Sequence, residues 1–523
     1  MKNFFLFINN KEKILILFLF IFSLFINQHY GNKGVFPIDS FAHFDTGFRI
    51  LLGEHPFKDY WIISGPFVDY LQAIFFYFFG VNWQSYVLHA SAVNVLIALS
   101  TFFVLKNFKL NIYLCFFYSL AVSILAYPSS GTPFADHHSA FFSLLGVYTL
   151  ILGIKNEKKF YWILLPIFFT FSFFSKQVPS SYIIVCVFFI LVAYTLMNKK
   201  FYWIKYSALS LILLFLFLLV FFVFQDLSFS SFVNQYILYP QTLGEDRYEG
   251  LNIDFKNIVL DFKYIYLAIV ILFYVNLKKI FANYNYIKKK DFFYFIIFLC
   301  LTLSLILHQT LTRNQTFIFF LIPILIAFSH VSLIQNKKNY NFLIIIMILL
   351  CLFTTIKYHF RYNEDRKFHE LSNVNFDLSS KANEIDKKFS GLNWISPEYK
   401  NNSKEEINSI INIKSYIEKD KRTKMIITNY SFFSVLLNKK VFSPMRWFIE
   451  NGVSHPLKDN KYFPDFQEFF IQKIKKNKIQ IIYTIKPVHV SFLKDLLGEK
   501  CIKTFNVDNM LNAHLVLNCA KLM

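Results

Sequence analysis

Between His43 and Trp61 the chain reads HFDTGFRILLGEHPFKDYW, and His43, Asp45, Arg49, Glu54, His55, Lys58 and Asp59 crowd into that stretch. Two other places are rich in reactive groups: SSGTPFADHHSAFF carries Asp136, His137 and His138, and FFSKQVPSSY carries Lys176. A carboxylate in such a setting can take the proton of a weak nucleophile such as a hydroxyl. Fixed cations such as Arg49, Lys176 and Arg313, from three separate connections, can hold an anionic leaving group. His43, Asp45, Asp136, His137 and His138 also suit a metal as oxygen and imidazole donors. Adjacent histidines at a helix entry read better as interfacial or substrate-binding residues, so no metal is assigned and a divalent ion stays as the alternative.

These residues must be positioned by a chain that is 55% hydrophobic and 20% aromatic, with a positive mean hydropathy. The apolar residues come as charge-free blocks such as SALSLILLFLFLLVFFVF rather than at soluble-protein periods, which makes them membrane spans. Eleven spans are expected, at 14–30, 85–105, 111–127, 138–154, 160–175, 181–197, 204–224, 263–277, 291–308, 316–334 and 342–357. The first is read as a retained helix, since no small-residue cleavage site follows it. GPFVDYLQAIFFYFFG (65–80), with Pro near its first turn, reads as a helix lying in the interface within a first outer loop at 28–84. Domain 1–357 is therefore membrane-embedded. Residues 358–523 lack a spanning block and alternate helix-like KEEINSIINIKSYIEK, DFQEFFIQKIKKNK and VSFLKDLLG with strand-like KMIITN and IQIIYTI, as a small α/β domain with a partly parallel sheet would.

The net charge of +21 does not point to nucleic acid, because the lysines lie between apolar blocks. Alternate connections hold Lys106 and Lys109, Lys155 to Lys159, Lys199 to Lys205 and Lys278 to Lys290; the others are longer and acidic. By the positive-inside rule the N-terminus is cytoplasmic and the acidic loops and C-terminal domain lie outside, which is expected to be the periplasmic side of a bacterial inner membrane. Cys501 and Cys519 flank DNML as the ends of a hairpin would; a disulfide there fits an oxidising exterior, and two separate thiols are the alternative.

Residues 39–80 resemble the first outer loop and juxtamembrane helix of GT-C glycosyltransferases, the membrane enzymes that use polyprenyl-phosphate sugars. The nearer resemblance is to bacterial relatives of protein mannosyltransferases and the lipid A aminoarabinose transferase. It implies that Asp45 is the catalytic base, although Asp45-Thr46 replaces the Asp-Glu pair of many relatives. It implies that Asp136 is the second functional acid and that Lys176, in a Lys-Gly-Pro-like signature with Gln177 in place of Gly, meets the lipid phosphate. Arg49, His137, His138 and Arg313 are further substrate-binding candidates. The implied partners are membrane lipids, a polyprenyl-phosphate sugar donor and a glycan, lipid or protein acceptor, joined by a single displacement that inverts the anomeric centre.

Weaker candidates are His308 and Gln309 at a helix junction, the loop 238–250, Arg446 beside an aromatic pair, and His89 and Asn94 inside the second span. A membrane glycan polymerase or ligase is the alternative enzyme, disfavoured because the long later outer loop, between the spans 204–224 and 263–277, has Arg247 as its one arginine. A transporter or flippase would place paired charges at mid-bilayer, and few charges lie inside the spans.

Overall fold

The computed structural model describes residues 10–126, 131–251, 253–312, 318–335, 340–486 and 488–519. Eleven helices stand where the spans are expected: α1 (Asn10–Gly31), α2 (Trp83–Asn107), α3 (Ile112–Ala126), α4 (Ala135–Asn156), α5 (Lys159–Ser175), α6 (Gln177–Asn198), α7 (Tyr202–Phe224), α8 (Lys263–Ala282), α9 (Lys290–Thr312), α10 (Leu321–Ile334) and α11 (Asn341–His359). Among the described residues eight helices are long and apolar enough to cross a bilayer, so this is a multi-pass membrane protein. The others among these eleven, α3, α5 and α10, are apolar but have only 15, 17 and 14 residues.

Side-chain size decides which helix is central. Through its most apolar stretch α4 is 94% buried, whereas α7, built of Leu and Phe, is 11% buried and turns its side chains outward. The small residues of α4 let neighbours approach closely, as small residues do between membrane helices. A Cβ on Gly153 would stand 3.0 Å from the Trp162 ring of α5, and Ser143 and Ser172 share a 2.6 Å hydrogen bond. The helix whose first turn bears Asp136 is thus the most enclosed of these eight.

The two ends of the bundle differ in charge. At one end Lys106 pairs with Glu12, Lys155 Nζ donates to the Asn107 carbonyl at 2.7 Å, and Glu157 meets Lys200 at 3.3 Å and Lys290 at 2.9 Å. The lysine-bearing connections therefore converge. At the other end the first loop folds into helices Phe44–Leu51 and Pro66–Phe79. The second buries Val68, Asp69, Gln72, Ala73 and Phe76 and leaves Ile74, Tyr77, Phe78 and Phe79 exposed, a face suited to an interface.

The C-terminal region has a two-stranded ladder, β1 (Ser380–Lys381) with β2 (Asn393–Trp394), and a four-stranded sheet of β3 (Lys424–Ile427), β4 (Ile481–Ile485), β5 (Ile502–Asn506) and β6 (Leu511–Val516). The sheet order is β3-β4-β6-β5; β3 runs parallel to β4 and the other pairs are antiparallel. Helices Ser403–Lys419, Phe463–Asn477 and Val490–Leu497 form where the sequence places them. Cys501 and Cys519 are bonded across the open end of the β5–β6 hairpin, with Cα atoms 5.3 Å apart.

This region is fused to the first loop by a shared core. Phe41 lies 4.8 Å from the Phe432 ring and 5.2 Å from Trp83, with Phe389 and Trp394 completing the cluster. Backbone bonds extend the contact: Val35 N donates to Ile395 O at 2.9 Å, and Trp61 N donates to Pro444 O at 2.8 Å. Such a seam of aromatic rings and paired backbone resists hinging.

Candidate active site

A cavity of about 280 Å³ lies at the bundle end that carries the C-terminal region, lined in part by Asp39, His43, Asp136, Lys176, Arg247, His308, Arg446 and Trp447. Its floor comes from helix ends. Chain direction changes at Lys176, which caps both α5 and α6 in an extended conformation, so its side chain leaves the bundle axis. Ser139 and Ser180 donate to its carbonyl at 3.1 and 2.6 Å and hold the break in place. Lys176 Nζ spans both oxygens of Asp136 at 2.7 and 2.8 Å, and His308 Nε2 meets Asp136 Oδ1 at 2.9 Å. Asp136 also sits in the first turn of α4, where the helix dipole favours an anion.

Asp39, in the short turn Pro37–Ser40, enters from the first loop. Among the described residues no hydrogen-bond donor acts on its carboxylate, and burial followed by the charges of Asp136 and Glu370 pushes its pKa up to about 7, against the opposing pull of Lys176. It is half-buried and lines the cavity. A carboxylate so tuned suits general-base work near neutral pH.

Asp45 does not line this cavity. It is 5% exposed and accepts a 3.0 Å bond from Ser434 N of the C-terminal region. Burial raises its pKa and Arg49 opposes that rise. Nor do Thr46 and Gly47 open the backbone to a ligand: Thr46 donates to Asp69 at 2.6 Å, and a Cβ on Gly47 would stand 2.6 Å from Gln72 Cγ, so both serve packing between the loop helices. Arg49 is fully buried, bonded to Glu54 at 2.9 Å and to the Ser443 carbonyl at 2.8 Å, with its guanidinium 4.3 Å from the Tyr60 ring centre; it ties the loop to the C-terminal region instead of facing a substrate. His137 packs against Phe134 and Phe141, and His138 meets His89 Nε2 at 2.9 Å; both are buried, and neither lines the cavity. Arg313 lies outside the described residues. The five potential metal donors do not converge, and among the described residues no three His, Cys, Asp or Glu side chains group as a metal site would.

Three residues of secondary rank in the sequence become central. Arg446 Nη2 reaches from the C-terminal region to Asp69 Oδ2 at 2.7 Å and to the Ser64 carbonyl at 2.5 Å, with Trp447 beside it. His308 joins the Asp136 pair. Gln177 donates to the Ile63 carbonyl at 2.8 Å and also to Tyr236 O, so it ties two loops at the cavity wall. Asp39 carried a legible signal. Asp45 is in helical phase with Phe41, Phe44 and Phe48, the stripe that packs on the C-terminal region, whereas Asp39 precedes that stripe.

No family model and no curated protein matches this chain. Among solved structures it is similar to ArnT from Cupriavidus metallidurans bound to undecaprenyl phosphate, with 11% identity, a TM-score of 0.49, and 97% of this chain and 98% of that one covered. It is also similar to the archaeal oligosaccharyltransferase AglB from Archaeoglobus fulgidus, in complex with an inhibitory peptide and a dolichol-phosphate, with 12% identity, a TM-score of 0.44, and 96% and 74% covered.

Proposed function

We propose that this protein is an integral-membrane glycosyltransferase that moves a sugar from a polyprenyl-phosphate donor to a hydroxyl of a glycan, lipid or protein acceptor, with Asp39 in the role that the resemblance gave to Asp45. The observation that carries the reading is one carboxylate without a donor, Asp39, sharing a cavity with Lys176 and Arg446 at the mouth of an apolar bundle.

The chemistry balances as a single displacement. Asp39 takes the proton of the acceptor hydroxyl as its oxygen bonds to the anomeric carbon. The bond from that carbon to the phosphate oxygen breaks, and the polyprenyl phosphate leaves with the electron pair. It departs as an anion, so it needs cations and no proton; Lys176, Arg247 and Arg446 line the cavity. Asp136 and His308 hold Lys176 in place between substrates. Arg313 stays a phosphate candidate from outside the described residues, while Arg49, His137 and His138 have structural roles in this reading.

The positive-inside rule supports a cytoplasmic lysine-rich end, with the cavity and the C-terminal region on the periplasmic side. Proteoliposomes given labelled polyprenyl-phosphate hexoses and a cell-envelope extract test the proposal. The expected result is label in a new glycosidic linkage with release of polyprenyl phosphate. Solute flux without any new linkage would favour a transporter and overturn it.

A further inference from the structure

Asp69 is a fully buried carboxylate, and its partners are unusually ordered. Oδ1 meets His43 Nδ1 at 2.6 Å and Thr46 Oγ1 at 2.6 Å; Oδ2 takes Arg446 Nη2 at 2.7 Å and lies 3.4 Å from the Tyr60 hydroxyl. A carboxylate on Nδ1 makes that nitrogen the protonated one and leaves Nε2 with a free lone pair. His43 is 1% exposed and lines the cavity, with Nδ1 committed to Asp69. Its place is fixed on other sides as well. His43 N donates to Tyr86 Oη at 3.2 Å, and Gly65, with φ +73°, leaves the space that a Cβ would fill 2.7 Å from His43 Cε1. Burial and the Arg446 charge, against the opposing pull of Asp69, also lower the pKa of His43, which favours the neutral ring.

We infer that His43 is a substrate contact whose Nε2 accepts a hydrogen bond from a carbohydrate hydroxyl in the cavity, and that Asp69, shared with Arg446, is the positioning residue that sets its tautomer. This rests on the glycosyl-transfer reading and adds a second hydrogen-bond acceptor to it. A neutral imidazole with a bare nitrogen can receive a hydroxyl but offers nothing to a phosphate oxygen, so it discriminates the sugar from the lipid phosphate.

The sharing with Arg446 makes Asp69→Asn informative. A guanidinium only donates, so it keeps the one remaining oxygen of the amide. The amide NH2 then faces His43 Nδ1, and the proton moves to Nε2, turning the acceptor into a donor. The same inversion of a histidine tautomer by an Asp-to-Asn change is costly in hydrolases.

The test uses the full chain in nanodiscs with 15N-labelled histidine, His43 being assigned by difference from His43→Phe. Probes are methyl glycosides of glucose, mannose and galactose, the matching polyprenyl-phosphate hexoses, and sugar-free polyprenyl phosphate. The wild type is expected to show a bare Nε2 whose resonance moves upfield with sugar-bearing probes and stays put with the sugar-free lipid. A response to the glycosides assigns the hydroxyl to the acceptor, and a response to the lipid-linked sugars alone assigns it to the donor. Asp69→Asn is expected to show a protonated Nε2 and to keep about 1% of wild-type kcat, within the range of general-base and positioning losses, with little change in KM for the lipid. A protonated Nε2 in the wild type, no response to any sugar, or full turnover with the tautomer inverted overturns the inference. The wild-type titration needs no substitution, so it decides even if Asp69→Asn fails to fold. A sugar response without transfer from any polyprenyl-phosphate hexose would refute the donor class and leave the His43 contact standing.

Discussion

Asp39 and Asp45 are six residues apart and chemically alike, yet their surroundings assign them different work. Asp45 is buried under a backbone donor, Ser434 N, and Asp39 lines a cavity together with Asp136 and Lys176. The pKa of Asp39 is raised to about 7 because burial and the charges of Asp136 and Glu370 disfavour its ionised form. A base must be ionised to act, so activity is present above that value and lost as pH falls through it. The pH profile of kcat/KM should show an acid limb near 7. Glu370→Gln removes one of the raising charges from an exposed site, so the limb should move to lower pH; an unmoved limb would assign it to another group.

At the scale of elements, the cavity depends on places where helices start and stop. Lys176 points into it because α5 and α6 break there, and His43 and Arg446 come together because the Pro66–Phe79 helix begins at a glycine with φ +73°. Gly65→Ala should cost about 1–3 kcal/mol through strain at positive φ and contact with His43, read as a lower apparent Tm together with slower transfer. The helices themselves were legible, because apolar blocks without charge admit little else: the expected span at 85–105 is Trp83–Asn107, and that at 138–154 is Ala135–Asn156. The Pro66–Phe79 helix was legible from Pro66 near its first turn. The first loop was harder to read. Its charges look alike in sequence, and which of them face a cavity depends on contacts such as Arg49 with Ser443 and Asp45 with Ser434, nearly 400 residues away along the chain. The phase of Phe41, Phe44 and Phe48 was the available clue that Asp45 lies on a packing face.

On the scale of the whole molecule, the C-terminal region is part of the site. Its sheet and helices could be read from alternating patterns, and the hairpin from the cysteines around DNML, but its docking could not, since Arg446 shows its role only when Asp69 is brought beneath it. Removing one partner of a buried ion pair is costly because the other charge is left in a poor solvent. Arg446→Met should therefore destabilise the docked state by about 3–5 kcal/mol, seen as earlier thermal unfolding and easier proteolysis near residue 358. Unchanged stability would mean that His43 and Thr46 suffice to hold Asp69.

The central claim is that Asp39, and not Asp45, is the carboxylate that takes the proton. The most direct test compares Asp39→Asn with Asp45→Asn in purified, reconstituted protein, following sugar transfer from a polyprenyl-phosphate hexose. Asp39→Asn should lose about 10² to 10⁴-fold in kcat while retaining fold and lipid binding, as removal of a general base does. Asp45→Asn keeps an oxygen for Ser434 N and should transfer at a rate close to wild type. Full turnover by Asp39→Asn, or loss of turnover confined to Asp45→Asn, would contradict the account.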